Sequence, residues 1–211
     1  MSTATPDPDP AMPYTRHPLG LPPGSVRAVL ALMIAGLFWA LVAMPEQHAV
    51  PVPPFLYFLL ALIFLFFGSH GHSIGKHLGD GRSPLGMPAG TIRAIILLGT
   101  FGLLGWLYWA KEDQLIERLT PDKNHLSDWP MLMLASVGAF TFGHIVRLGP
   151  WRRTAGFQDM LATLSLVAML GLAAETVIVV FINPNVLERL DLRVWETILT
   201  AAVAFYFGAR S

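Results

Sequence analysis

The sequence predicts an all-α integral membrane protein: six transmembrane helices forming three parallel-repeat helical hairpins in a pseudo-threefold bundle. Three observations predict it. Of 211 residues, 54% are hydrophobic and 13% charged, with mean hydropathy +0.54, whereas soluble domains carry about 25% charged residues. All seventeen prolines fall outside the interiors of six apolar segments, as helices require, because an interior proline removes a hydrogen bond and clashes with the preceding turn. An eleven-residue motif also recurs at a spacing of 66 residues.

Composition excludes several function classes. Fourteen basic side chains balance fourteen acidic ones, so nucleic-acid binding through overall positive charge is not expected. Without cysteine there are no disulfides, thiolate metal sites or cysteine nucleophiles. Polar, proline-rich residues 1–17 read as a disordered cytoplasmic tail rather than a cleavable signal.

The first hairpin unit covers residues 18–83. Pro18-Leu-Gly-Leu-Pro-Pro-Gly-Ser-Val-Arg-Ala28 opens it, and the prolines keep the entering chain extended. Ser25 is then the expected N-cap of a span over 26–44. A second apolar run, 54–70, returns the chain; roughly 20 apolar residues of helix cross a bilayer. The second unit, 84–149, repeats the motif as Pro84-Leu-Gly-Met-Pro-Ala-Gly-Thr-Ile-Arg-Ala94, seven of eleven positions being identical. Thr91 caps a span over 92–110, and a further span covers 130–147. Between them Glu112-Asp-Gln-Leu-Ile-Glu-Arg-Leu119 predicts a short surface helix with Leu115, Ile116 and Leu119 at the interface. The third unit, 150–211, keeps only Pro150, Ala155 and Gly156 of the motif and carries spans over 157–182 and 194–209. Gly24, Gly90 and Gly156 mark the repeat at its start; the endings Phe67-Gly68, Phe142-Gly143 and Phe207-Gly208 mark it at its close.

Each unit crosses twice and returns, so the copies are parallel and related by an axis along the membrane normal. Nine Lys and Arg lie on the side of the N-terminus and five on the other. That bias predicts cytoplasmic termini in a multi-pass protein. Alanine, proline and arginine usage without cysteine points to a bacterial inner membrane.

Arg27 and Arg93 occupy equivalent first-turn positions, where the helix dipole disfavours a cation. Each therefore calls for an anionic partner, a lipid phosphate or a carboxylate. The equivalent residue in the third unit is Asp159, which is expected to pair with one of them or to be hydrated at its helix start. Glu175 is the carboxylate well inside a span, about 24 Å along the helix from Asp159 at 1.5 Å per residue. It reads as a proton or cation site with Thr163, Ser165 and Thr176 along a polar path, or as a buried hydrogen-bonding group. His70, His72, His77 and His144 gather on one side and are candidate zinc, copper or nickel ligands. No acidic residue sits at metal spacing beside them, and a polar loop against headgroups contains the same residues.

Small residues line most spans: Gly99, Gly102 and Gly105, then Ala135 with Gly138, Ala168 with Gly171, and Ala204 with Gly208. Such faces let membrane helices approach closely. Tryptophans and tyrosines cluster near span ends, as interfacial anchors do. The chain contains no nucleophile elbow, phosphate-binding loop or dinucleotide fingerprint. The expectation is a non-catalytic accessory or scaffold subunit without a cofactor, packing in the bilayer with other membrane subunits or itself as an oligomer. The alternatives are a small channel, pore former or transporter using Glu175 and the Arg27, Arg93, Asp159 layer, or a histidine-based metal-binding protein.

Overall fold

The computed structural model describes residues 24–45, 50–69, 85, 87–88, 90–110, 112–120, 127–150, 154–186 and 190–210. Among them the chain is helical, with no strand: α1 (Ser25–Ala43), α2 (Pro54–Ser69), α3 (Thr91–Ala110), α4 (Glu112–Leu119), α5 (Trp129–Leu148), α6 (Ala155–Val177) and α7 (Arg193–Arg210). Every predicted segment is a helix. Four are long and apolar enough to cross a membrane: α1, α3, α5, and α6 with its extension to Asn185. The count of six is not met on those terms, because α2 has 16 residues and α7 carries Arg193, Glu196 and Arg210.

The motif builds its helix starts differently from expectation. Gly24 and Gly90 are left-handed, with φ of 86° and 88°, a conformation that costs an L side chain about 1–2 kcal/mol and glycine nothing. Gly24 is the N-cap of α1, so Ser25 lies inside the helix rather than capping it. Its hydroxyl instead accepts the Leu85 N–H at 2.9 Å, tying the second motif to the first helix. In both copies the glycine carbonyl takes the first helical bond, from Ala28 N at 3.0 Å and Ala94 N at 2.9 Å. The third unit has no such turn. Thr154 is an ordinary N-cap for α6, its hydroxyl accepting Phe157 N–H at 3.4 Å, and Gly156 lies within the helix.

α1 is the central element. It packs on α2, α3 and α6, and 56% of its span is buried against 22% for α3 and 17% for α5. Trp39 of α1 crosses α3 over Gly99, donating its indole N–H to Thr100 Oγ1 at 3.0 Å. A Cβ at Gly99 would collide with that ring. The most extensive pairing joins α5 and α7. They run parallel, with Asp128 beside Arg193 at one end and Gly143 beside Ala209 at the other. Gly143 and Gly208 let the backbones meet: a Cβ at Gly143 would lie 2.9 Å from Ala209 N, and one at Gly208 2.9 Å from the Phe140 carbonyl carbon. α2 runs parallel to both, with Phe58 against Trp129 at 5.4 Å and Phe66 against Phe207 at 5.3 Å.

The short helix α4 is a clasp. Arg118 donates to the carbonyls of Val42 at 2.7 Å and Met44 at 2.6 Å, groups that the end of α1 leaves without helical partners. Tyr57 at the start of α2 donates to Leu119 O at 3.0 Å. Leu115 and Leu119 pack on the core while Ile116 stays 71% exposed, so one apolar side of α4 faces protein. Beyond Val177 the α6 helix widens into a π turn over Ile178–Ile182 and ends in a 3-10 turn, Asn183–Asn185. Pro184 sits in that last turn, where it removes no α-helical bond.

Candidate functional site

The candidate site lies between α6 and α7, toward the end of the bundle carrying Trp129 and Arg193. Gly171 prepares it. A Cβ there would lie 2.9 Å from Leu199 Cδ1 and 3.1 Å from Trp195 Cζ2, so the bare backbone admits α7 against α6. Glu175 follows one turn later on the same face. It is 0% exposed, and among the described residues neither carboxyl oxygen has a hydrogen-bond partner. The Trp195 indole lies beside it, outside hydrogen-bonding geometry. A charge buried in this way is costly without a partner.

The hydroxyls expected to extend a polar path from Glu175 are committed elsewhere. Thr176 donates to Leu172 O at 2.7 Å, Ser165 to Ala162 O at 2.7 Å and Thr163 to Asp159 O at 3.0 Å. These are bonds of a helix to its own backbone. Thr200, on α7 one turn from Glu196, is fully buried with its hydroxyl unpartnered.

Toward the helix ends the surroundings turn acidic. Glu196 stands within Coulombic reach of Glu175, Asp128 and Asp191, with Arg193 as the opposing charge. Arg193 lies 3.5 Å from Asp128 and 3.6 Å from Asp191. Glu196 lines two open cavities. One, of about 260 Å³, also touches Val179, Asn183 and Asp191; the other, of about 220 Å³, touches Asp128 and Thr197. Asn183 is buried and accepts the Leu190 N–H at 3.1 Å, closing the turn between α6 and α7. Glu175 itself lines neither cavity.

The remaining sequence-predicted residues are dispersed. Arg27 donates to Arg210 O at 3.0 Å and lies 5.0 Å above the Phe66 ring, a carbonyl and a ring where a lipid phosphate or a carboxylate was expected. Arg93 lines a cleft between α2 and α3. Asp159 is exposed near the start of α6, and His144 is exposed on α5. His70, His72 and His77 lie outside the described residues, as does any side-chain neighbourhood of Gly68. Among the described residues no group of three His, Asp or Glu is placed to hold a metal ion. Gly102, Gly105 and Gly138 face open space, with nothing within 4 Å of a built Cβ.

Sequence reasoning missed Glu196, Trp195 and Arg118 as structural partners. Glu196 reads as one of several acidic loop residues, and its approach to Glu175 depends on how the π and 3-10 turns return the chain. Arg118 is a basic residue in the last turn of a short amphipathic helix, but which carbonyls it reaches, 74 and 76 residues away, is set by tertiary geometry. No protein family, curated protein or solved structure matches the chain.

Proposed function

We propose that this protein is a non-catalytic, six-span membrane subunit of accessory or scaffold type, built to pack with other membrane helices. The outward glycines carry the reading. Gly99, Gly143, Gly171 and Gly208 each fit a close neighbour, whereas Gly102, Gly105 and Gly138 meet nothing within 4 Å. An unused glycine in a helix interior costs about 1 kcal/mol relative to alanine, and small faces in membranes receive other helices. Large apolar side chains flank them, Phe101 at 66% and Val137 at 60% exposure, so the faces suit bilayer or protein but not water. The six-span, parallel-repeat arrangement is supported by the matching left-handed glycines and by α2, α5 and α7 running in one direction. Both termini are assigned to the cytoplasmic side of an inner membrane by the loop-charge bias.

Extraction in gentle detergent, followed by the mass of the intact complex, tests this. Stoichiometric partners or a defined oligomer are expected; a lone monomer overturns the reading. A second reading, a proton or cation path, is favoured by one observation, the buried and unpartnered Glu175. Conduction needs a continuous polar lining, and the committed hydroxyls of Thr163, Ser165 and Thr176 argue against one. Proton flux in liposomes abolished by Glu175→Gln would restore it.

A further inference from the structure

The two arginines of the intact motifs have different fates. Arg27 is satisfied within the protein, by Arg210 O and the Phe66 ring. Arg93, at the equivalent place in the first turn of α3, makes no hydrogen bond or ion pair among the described residues. It stands at the rim of a cleft of about 260 Å³ between α2 and α3. The walls of that cleft are Ile63, Phe64, Phe67, Ile96, Leu97 and Phe101. The Phe64 and Phe101 rings, 6.4 Å apart, join the two helices across it.

These features specify an occupant. The first turn of a membrane-crossing helix lies at headgroup level, on whichever side it faces. The positive end of the helix dipole disfavours a cation there, and a guanidinium pairs best with two oxygens of one anion, such as a phosphate. The slot below is apolar. A molecule that is anionic at one end and hydrocarbon below fits both halves, whereas free phosphate leaves the apolar walls uncovered. We propose that the α2–α3 cleft binds one anionic phospholipid, its phosphate on Arg93 and an acyl chain along Phe64, Phe67 and Phe101. The inference goes beyond the assembly reading and requires only that α3 crosses the membrane.

Native mass spectrometry of protein reconstituted with equal phosphatidylglycerol and phosphatidylcholine tests it. One retained phosphatidylglycerol per chain is expected. Arg93→Ala should reduce retention about tenfold, as expected for a charge-assisted contact worth roughly 1.5 kcal/mol. Leu97→Trp, which fills the slot and keeps the arginine, should do the same. Arg93 holds no partner among the described residues, so its replacement should leave the fold in place, as the elution volume and helical circular dichroism will report. Equal retention of both lipids, retention unchanged in Arg93→Ala, or retention unchanged in Leu97→Trp overturns the proposal. Displacement of the lipid by inorganic phosphate alone also overturns it, by making the headgroup anion the whole ligand. A failure to find partner subunits leaves this result untouched.

Discussion

At the scale of single residues, two side chains set opposite problems. Arg118 is a cation that solves one: it reaches from α4 to the open carbonyls of Val42 and Met44. Hydrogen bonds to a charged group contribute about 1.5–3 kcal/mol each, and those carbonyls become orphans if the group is removed. Arg118→Ala should therefore lower stability by about 2–3 kcal/mol, read as a fall in thermal midpoint in detergent at one scan rate. Both bonds come from one nitrogen, Nη1, so Arg118→Lys should recover the part of the loss that its shorter side chain can still reach. Equal midpoints for wild type and Arg118→Ala would contradict the clasp. Glu175 is a cost left standing, because both its oxygens are buried and unpartnered. A buried unsatisfied polar group costs about 1–3 kcal/mol, so Glu175→Leu should raise the thermal midpoint. If the midpoint drops instead, an unseen partner holds the carboxyl.

At the scale of helices, backbone approach decides the architecture. α5 and α7 meet through Gly143 and Gly208, where an added Cβ comes within 2.9 Å of the opposing backbone. Backbone cannot swing aside as a side chain can, and overpacking of this kind typically costs about 1–3 kcal/mol. Gly143→Ala and Gly208→Ala should each lower the thermal midpoint, and the pair should be less than additive because both break one crossing. Fully additive losses would mean two separate contacts. This crossing was legible in outline: the Phe-Gly endings at 142–143 and 207–208 were visible as a repeat, though not as partners. Helix positions were equally readable, since apolar runs and prolines fixed the ends of α1, α3 and α5 to within a residue or two. What the chain did not disclose depends on tertiary geometry. Ser25 looks like a cap until Gly24 takes φ of 86° and frees its hydroxyl for Leu85. That Glu196 comes within Coulombic reach of Glu175 depends on how α7 returns beside α6 after a π turn inside an unbroken apolar run, Ile178–Ile182, which hydrophobicity cannot distinguish from α-helix.

At the scale of the whole molecule, the glycines divide into two sets that should respond oppositely to the same substitution. Gly143 and Gly208 are filled from within, whereas Gly102 and Gly138 meet nothing within 4 Å among the described residues. Adding a methyl to the second set removes the glycine penalty of about 1 kcal/mol and touches no internal neighbour. Gly102→Ala and Gly138→Ala should therefore hold or raise the thermal midpoint of the isolated chain. If these faces receive other helices, the same methyls push those helices apart, because close backbone contact is the attraction that small residues provide in lipid. Bulkier Gly102→Leu and Gly138→Leu should sharpen the contrast, keeping the isolated chain folded while reducing the mass of the complex extracted from membranes. Fold and assembly are then separable in one pair of measurements, the thermal midpoint of the chain and the mass of what it carries. Complexes that survive Gly102→Leu and Gly138→Leu unchanged would show that these faces meet lipid, and the assembly reading would lose the observation that carries it.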